Sequence, residues 1–430
     1  MRALAALALA AACGGGSSKS TPHRNGSAAP VEVVTQVQLP DAGGGKAGQV
    51  VEEKEPNDGD DVATPLPLGA TARGTIDPET DVDHYRIDVD RAGVLALTLS
   101  AVEGQDLALA LEDASGTVVA KSDRGGARMR EGIPNFAVTA GRYTAVVYAI
   151  AHKPAGKPKK ADAGSAAGKP SPVYELSAQL AQPTAGAERE PDDDRGTAND
   201  LLVGDVASGF IGWSGDVDVW KLSVEALSAK NAIDVEVSAV EGVALELVIA
   251  DAVGTALVDR KAPRGQPVIV RGLVPVVAPG GAPYQYVTVK ADRSNPETAY
   301  QLKVTGHVVG TDAEVEPDDT IDKPFAIPAD RTIVHATFTP GDVDCFAIAK
   351  GTVERTIEVT VDTPADVDLS AELFVDGKSI AKADHAGKGA AERVVGAVPA
   401  GAQAVVRVRG AESSTAEGAY DVVVRETGEP

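Results

Sequence analysis

Residues 214–225 read Ser-Gly-Asp-Val-Asp-Val-Trp-Lys-Leu-Ser-Val-Glu, and this stretch decides the fold. From Trp220 onward apolar side chains alternate with polar ones, with Trp220, Leu222 and Val224 on the apolar side. Successive side chains of a β-strand point to opposite faces, so a period of two predicts a strand with one buried and one solvent-facing side. Strands that are wet on one face are typical of antiparallel sheets, and the stretch therefore indicates an all-β protein.

The Asp-Val-Asp that opens this strand occurs three times, each time with an aromatic residue two positions later. Its other copies lie at 81–85 and 342–346. An acidic opening of the form Glu-x-Glu-Pro-Asn/Asp-Asp precedes each copy, at 53–58, 188–193 and 314–319. Successive openings are 135 and 126 residues apart, which is too long for a solenoid repeat and suits a whole domain. We therefore predict three similar domains in tandem.

Each copy carries further strand and turn signals in the same order. An alternating apolar run ends in a turn sequence with Asp and Gly, at 113–116, 251–254 and 376–377. Gly accepts positive φ and Asp bonds to nearby backbone, so these turns predict hairpins. A closing strand begins with a tyrosine in every copy, at Tyr174, Tyr300 and Tyr420. Short strands at regular spacing and no amphipathic helix predict three antiparallel, jelly-roll-like β-sandwiches, at 51–182, 186–307 and 312–427.

The start of the chain has the features of a secretion signal. Arg2 precedes an apolar run at 3–12, and Cys13 follows, with Gly and Ser after it. This layout predicts a lipoprotein-type signal at 1–13 in which Cys13 is the lipid-attachment residue; an ordinary cleaved signal or a misplaced start codon is the alternative. Residues 14–50 have no hydrophobic period and are expected to form a disordered tether.

The composition narrows the classes of partner and of chemistry. A formal net charge of −23 argues against nucleic acid, whose phosphates would be repelled. One basic segment, 153–172, is rich in Lys, Pro and Gly and is expected to be a disordered insertion in the first domain. Besides Cys13 the only cysteine is Cys345, so no disulfide framework is expected, and Cys345 is interpreted as a small buried hydrophobe. Hydrolase and phosphate-binding motifs are absent from the sequence, and we predict that the protein is not an enzyme.

The acidic opening, the Asp-Val-Asp-aromatic strand, the Asp/Gly hairpin and the final Tyr strand, in that order, resemble the bacterial pre-peptidase C-terminal domain. The resemblance covers about residues 51–427 in three copies, and no peptidase domain precedes them. Relatives of this module include the collagen-binding domains of clostridial collagenases, in which the acidic residues form a calcium site that stiffens the entry to the domain. The resemblance thus implies a calcium site in each copy, and the first copy, with Asn57, matches most closely.

Calcium prefers six to eight oxygen ligands, which carboxylates and amide oxygens supply. Carried over by position, the ligand candidates are Glu53, Glu55, Asn57, Asp58, Asp81 and Asp83, then Glu188, Glu190, Asp192, Asp193, Asp216 and Asp218, then Glu314, Glu316, Asp318, Asp319, Asp342 and Asp344. The assignment is less secure for Asp81, Asp216 and Asp342, because the relatives need not have an Asp-x-Asp spacing at this point. The alternative interpretation is that these side chains do not converge, and solvate the segments between domains or cap turns.

Three functional hypotheses follow. The first is a non-catalytic lipoprotein of the cell envelope, at the outer membrane or cell surface, whose calcium-stiffened sandwiches bind an extracellular polymer or a protein partner and whose lipid anchor contacts the membrane; a periplasmic or secreted location is the alternative. The second is an accessory subunit of a secreted peptidase, acting in targeting, folding or inhibition. The third is a structural spacer. Among aromatic residues, Trp213 is the best candidate for an exposed contact, and a core position is equally expected.

Overall fold

The computed structural model describes residues 48–150, 171–277, 279–385, 387–411 and 414–427, all within one compact unit, Leu39–Pro430. The predicted lipid-attachment residue Cys13, the tether up to residue 47 and the insertion up to residue 170 lie outside the described residues. The described part of the chain contains strands and no α-helix. It accordingly has no helix with the length and apolar character needed to cross a membrane.

The first β-sandwich, sandwich 1, packs two five-stranded sheets face to face. Its strands are β1 (Val50–Glu52), β2 (Thr64–Pro65), β3 (Thr71–Gly74), β4 (Val82–Val89), β5 (Gly93–Leu99), β6 (Leu107–Glu112), β7 (Val118–Ser122), β8 (Glu131–Val138), β9 (Gly141–Ala149) and β10 (Tyr174–Ala181). One sheet has the order β1-β3-β10-β5-β8 and the other β2-β4-β9-β6-β7. β1 begins at Val50, one residue inside the predicted tether.

Sandwich 2 repeats this arrangement with a five-stranded and a four-stranded sheet. Its strands are β11 (Asn199–Leu202), β12 (Val206–Ile211), β13 (Val217–Ser223), β14 (Asn231–Val237), β15 (Leu245–Ala250), β16 (Ala256–Lys261), β17 (Val268–Leu273), β18 (Tyr284–Ala291) and β19 (Asn295–Val308). The sheet orders are β11-β13-β18-β15-β16 and β12-β19-β14-β17.

Sandwich 3 has the same two-sheet plan. Its strands are β20 (Phe325–Ala326), β21 (Ile333–Phe338), β22 (Val343–Ile348), β23 (Arg355–Asp362), β24 (Leu369–Val375), β25 (Lys378–Ala383), β26 (Glu392–Val398), β27 (Ala404–Gly410) and β28 (Gly418–Thr427). The sheet orders are β20-β22-β27-β24-β25 and β21-β28-β23-β26. The three predicted sandwiches are confirmed, and consecutive strands alternate between sheets as in a jelly roll, except at the hairpins β6–β7, β15–β16 and β24–β25, which each lie in one sheet.

Pairing within the sheets is antiparallel except at short edge strands. β1 pairs parallel with β3 and β2 with β4, and β11 and β20 pair parallel with β13 and β22. The remaining pairs of named strands are antiparallel, as predicted. The parallel edge strands all belong to the segments that lead into each sandwich, because these segments run beside the first long strands before the chain turns into them.

Alternation places the predicted apolar faces in three separate cores. Tyr85, Ile87 and Val89 are buried in sandwich 1, and Trp220 and Leu222 are buried in sandwich 2. A third core lies between the sheets of sandwich 3. Burial of apolar area at roughly 25 cal/mol per Å² gives each sandwich its own source of stability.

The predicted hairpin turns are present. Asp113 Oδ1 accepts backbone hydrogen bonds from Ser115 and Thr117, at 2.8 and 3.1 Å. Asp251 Oδ1 plays the same part in sandwich 2, and in sandwich 3 Asp376 and Gly377 both have positive φ, 47° and 76°. A two-residue turn with both φ positive matches the twist of the flanking strands.

Candidate metal centres at the sandwich entrances

The acidic opening of each sandwich has one backbone geometry. It runs beside β3, β12 or β21 of its own sandwich, through the hydrogen bonds Glu53 N to Arg73 O (2.9 Å), Glu188 N to Ser208 O (2.8 Å) and Glu314 N to His335 O (2.8 Å). The second glutamate of each opening accepts a hydrogen bond from the backbone N–H two residues after it. An example is the bond from Asp192 N to Glu190 Oε2, at 2.9 Å. The Glu-Pro peptide bond is cis in all three openings. The three acidic segments are therefore equivalent in structure as well as in sequence.

The second aspartate of each Asp-Val-Asp points into the sandwich, toward the closing tyrosine. Asp83, Asp218 and Asp344 are almost fully buried. The Tyr174 hydroxyl donates to Asp83 Oδ2, and the Tyr420 hydroxyl donates to Asp344 Oδ2. These tyrosines thus do more than fill the core, which was their sequence interpretation, because each positions a carboxylate at the entrance.

In sandwich 1 the acidic side chains converge loosely. Cluster 1 consists of Glu53, Glu55, Asn57 and Asp83, and one carboxylate oxygen each from its three acidic members lies within 4.8 Å of the others. Glu55 is exposed, whereas Asn57 is buried and neither polar atom of its side-chain amide has a hydrogen-bond partner. Burial raises the pKa of Asp83 to about 7. A buried amide with both atoms unpartnered is costly, so an ion or water at this site would be favoured.

Cluster 2 gathers the most deeply buried acidic groups. It consists of Glu188, Glu190, Asp192, Asp216 and Asp218, each at most 2% exposed. One oxygen each from four of them lies within 4.8 Å of the others: Glu188, Glu190, Asp192 and Asp218. The fifth, Asp216, accepts a hydrogen bond from Gly212 N.

Several oxygens of cluster 2 have no hydrogen-bond partner. These buried atoms are Glu188 Oε1, Glu190 Oε1, Asp192 Oδ1, Asp216 Oδ1 and both side-chain oxygens of Asp218. The companion oxygens of the first four are satisfied by neutral donors, such as Asn135 Nδ2 to Glu188 Oε2 and Asn199 Nδ2 to Asp192 Oδ2, both at 2.6 Å. Across the described ranges, no Lys, Arg or His pairs with a cluster 2 carboxylate. The cluster therefore presents uncompensated negative charge away from water.

The titration behaviour of cluster 2 reflects this burial. Desolvation, followed by repulsion between neighbouring carboxylates, raises the pKa of Asp216 to about 9 and that of Glu190 to about 8. For Glu188 and Asp218 the same two causes raise the pKa well above the ordinary value. Without a cation, the folded protein holds protons on Asp216 and Glu190 at neutral pH, at a cost in stability.

Cluster 3 differs because a cation from the preceding sandwich enters it. It consists of Glu314, Glu316, Asp318, Asp319, Asp342 and Asp344. Arg260, on β16 of sandwich 2 and 3% exposed, donates to Glu316 Oε1 and to Asp342 Oδ1, and its Nη1 lies 2.6 Å from Asp319 Oδ1. The other three carboxylates form a second group within 4.8 Å of one another. In that group Glu314 Oε1, Asp344 Oδ1 and both Asp318 oxygens lack hydrogen-bond partners.

The predicted ligands therefore converge in part. Asp58 and Asp193 are exposed and lie outside the converging groups. Asp81 accepts hydrogen bonds from the backbone of Asp77 and Val82, which makes it a turn residue. All six candidates of sandwich 3 converge, in two groups. The first copy was expected to match the calcium-binding relatives most closely. Its acidic side chains are nevertheless less buried than those of cluster 2.

Sequence reasoning missed the contributions of neighbouring sandwiches and one mixed group. Asn135 and Arg260 belong to the preceding sandwich in each case, and only the fold brings them to the next entrance. In sandwich 1, Asp60, His84 and Glu112 each offer a ligand atom within 4.8 Å of the others, and His84 Nδ1 is buried and unpartnered. No spacing in the sequence links these three residues.

Clusters 2 and 3 also lie where successive sandwiches join. The opening segments pair with edge strands of the sandwich before them, through Ala137 N to Glu190 O (2.8 Å) and Glu190 N to Asn135 O (3.1 Å). Between sandwiches 2 and 3 the equivalent bonds are Val274 N to Glu316 O (3.0 Å) and Glu316 N to Gly272 O (3.1 Å). We call these contacts junction 1–2 and junction 2–3. One metal-binding glutamate candidate in cluster 2 and one in cluster 3 thus also hold two sandwiches together.

Trp213 is part of junction 1–2. It is half-buried and packs against the core cluster of sandwich 1, although it belongs to the β12–β13 loop of sandwich 2. A free aromatic contact surface at this residue was one of two predicted roles, and the structure favours the packing role. Cys345 is buried, as predicted, and burial raises the pKa of its thiol to about 12.

Known proteins resemble this chain only distantly. No family model matches it, and no curated protein matches it. A pre-peptidase C-terminal domain of a collagenase from Bacillus anthracis aligns at 18% identity over 30% of this chain and 100% of its own, with a TM-score of 0.21. The CUB1-EGF-CUB2 fragment of human MASP-1/3 aligns at 8% identity over 55% of this chain and 99% of its own (TM-score 0.17). The CBM22-1-CBM22-2 tandem domain of Xyn10C from Paenibacillus barcinonensis aligns at 12% identity over 54% of this chain and 100% of its own (TM-score 0.16). At these values the likenesses carry no argument about ligands or partners.

Proposed function

We propose that this chain is a non-catalytic, calcium-stiffened binding or spacing protein of the cell envelope, related to the pre-peptidase C-terminal domains. The observation that carries the proposal is cluster 2, whose five carboxylates are buried at the contact between two sandwiches and pair with no Lys, Arg or His among the described residues. Burying an ionised carboxylate is very costly unless it is paired or coordinates a metal. A bound cation would offset the cost of burying the five carboxylates of cluster 2 together.

The donor set favours calcium over other metals. All cluster 2 donors are oxygens, with neither His nor Cys among them, and oxygen-only sites suit hard cations. The unpartnered oxygens Glu188 Oε1, Glu190 Oε1 and Asp192 Oδ1 are the first candidates for coordination. Calcium tolerates irregular geometry and a variable number of ligands, which a cluster drawn from a loop and a strand end supplies more readily than the strict octahedron of magnesium.

The proposed role of the ion is mechanical. Glu190 contributes a side chain to cluster 2 and its backbone to the pairing of junction 1–2. An ion bound by this residue and by Asp218, on β13, would fix the opening segment against its sandwich and so hold the neighbouring sandwich in place. A lipid anchor at Cys13, a location in the envelope, and a polymer or protein partner belong to the same proposal.

Thermal unfolding of the full-length protein in calcium and in chelator tests the proposal. If calcium binds only the folded state, free ion at 100 times its dissociation constant adds about 2.7 kcal/mol of stability. We expect a higher melting temperature in calcium for the natural chain and a much smaller difference in Glu188→Gln/Asp218→Asn. Asp200→Asn, which changes an exposed carboxylate of the same sandwich, is the matched control and should keep the natural response. Coincident melting curves for the natural chain in calcium and chelator would reject the proposal.

A further inference from the structure

The two junctions differ in one side chain that carries a charge. At junction 2–3 the guanidinium of Arg260 reaches across to Glu316, Asp319 and Asp342, and all of these contacts join sandwich 2 to sandwich 3. Arg260 and its partners Glu316 and Asp342 are at most 6% exposed. Three carboxylates around one buried guanidinium form a charge-assisted network that water does not screen.

The equivalent position at junction 1–2 is a serine. Arg260 on β16 pairs with Leu247, the third residue of β15, and Ser122 on β7 pairs with Leu109, the third residue of β6. Ser122 is buried as well, but its hydroxyl donates to Glu131 of its own sandwich at 2.6 Å. It therefore brings no charge to cluster 2.

The junctions also differ at a second position, where the preceding sandwich supplies a polar side chain to junction 1–2 and none to junction 2–3. Asn135 precedes Phe136, which bridges to Glu190, and Gly272 precedes Leu273, which bridges to Glu316. The Asn135 amide donates to Glu188 Oε2, whereas Gly272 has no side chain to offer. Junction 1–2 thus receives a neutral donor from the preceding sandwich, and junction 2–3 receives a cation.

Ion pairs outside the clusters are present at both junctions. Arg124 pairs with Glu297 at junction 1–2, at 3.1 Å, and Arg271 pairs with Glu417 at junction 2–3, at 2.7 Å. Glu297 and Glu417 each stand three residues before the closing tyrosine, so the two acceptors are equivalent, although Arg124 follows β7 and Arg271 lies on β17. The backbone pairing described above is also the same at both junctions. The difference in charge is confined to the clusters.

We infer that Arg260 is a built-in cation that takes the place of a metal ion at Glu316, Asp319 and Asp342, so that junction 2–3 is held without metal while junction 1–2 depends on a bound divalent cation. This inference rests on the proposed calcium binding for junction 1–2 only. The remaining group of cluster 3, Glu314, Asp318 and Asp344, does not take part in the Arg260 ion pairs and stays a candidate metal group within sandwich 3.

Hydrogen exchange of the full-length protein, read by mass spectrometry in calcium and in chelator, tests the inference at the amides that make the junctions. In the natural chain, chelator should speed exchange at Ala137 and Glu190 by about tenfold or more, and change it less than about twofold at Val274 and Glu316. Removing Arg260 as Arg260→Met should make Val274 and Glu316 exchange about tenfold faster in chelator. Added calcium should slow them again, because three carboxylates become free for a second ion. Arg264→Met, which removes a half-exposed arginine paired with Asp292, is the control and should change neither junction.

The outcomes separate the two claims. Equal sensitivity of both junctions to chelator in the natural chain overturns the inference while calcium binding stands, and this comparison needs no variant to fold. If the natural chain binds no calcium, as measured by equilibrium dialysis, the proposed function fails. The inference then depends on the Arg260→Met variant in chelator. If the amides of Val274 and Glu316 exchange as slowly in this variant as in the natural chain, the inference is overturned. If they exchange faster, Arg260 is supported as the cation that holds the junction.

Discussion

Replacing Asp216 by asparagine should change stability in opposite directions with and without calcium. Asp216 is 2% exposed, and burial together with the nearby Glu190 raises its pKa to about 9 from the ordinary 3.8. At pH 7 the folded apo protein must therefore hold a proton on a group that is ionised when the chain is unfolded. Holding that proton against a pKa of 3.8 costs about 4 kcal/mol at pH 7, since each pH unit corresponds to about 1.4 kcal/mol.

An asparagine needs no proton, and its amide can donate to Glu190 Oε1, which has no partner. Asp216→Asn should therefore gain up to about 4 kcal/mol in chelator, which corresponds to a rise of up to about 15 °C in the melting temperature of a sandwich of this size. In saturating calcium the variant lacks one carboxylate beside the ion and should melt below the natural chain. Scanning calorimetry of the full-length protein measures both values. If Asp216→Asn melts lower in both buffers by the same amount, the carboxylate is an ordinary hydrogen-bond acceptor and the reasoning is refuted.

Two further predictions concern pH and the space beneath the entrance. In chelator the melting temperature should fall as pH rises from about 5 to about 8, because the raised pKa values of Glu190 and Asp192, about 8 and about 7, make the native state bind more protons than the unfolded chain. Bound calcium should make the melting temperature depend less on pH. A pH dependence that is as steep in calcium as in chelator would contradict this linkage. A methyl group at Gly74 would approach Glu53 Oε2 to 2.3 Å and the Tyr174 hydroxyl to 2.4 Å, whereas Gly141 has nothing within 4 Å. Gly74→Ala should therefore destabilise sandwich 1 by about 1–3 kcal/mol and Gly141→Ala should be nearly neutral in denaturant titrations; equal effects would show that the entrance is not closely packed.

The strands and the repeat were predictable from local pattern. Alternation from Trp220 to Val224 and the Asp/Gly turns depend only on neighbouring residues, and both are present as predicted. Convergence of the acidic residues was predictable only by analogy, since sequence does not tell whether Glu188 and Asp218 meet. The fold brings them together because the opening segment runs beside β12 and β13 begins next to it.

Contributions from the neighbouring sandwich had no local signal. Arg260 stands in an ordinary alternating strand, 56 residues from Glu316, and its burial follows from the way β16 faces the next entrance. Asn135 is a polar residue in the apolar strand β8, which is the one sequence hint that its side chain had a partner. Trp213 likewise finds its packing surface in another sandwich. Side chains at junctions depend on two folded units, so a single-copy pattern does not reveal them.

The most direct test of the account is an anomalous difference map from crystals of the full-length protein grown in calcium. The account predicts a peak among the oxygens of Glu188, Glu190, Asp192 and Asp218, and no peak between Glu316 and Asp342, where Arg260 lies. Protein oxygens should surround the first peak at 2.3–2.6 Å, the ordinary calcium–oxygen distance. A map that shows no peak at cluster 2 in saturating calcium would contradict the central claim that this buried acidic cluster is a calcium site.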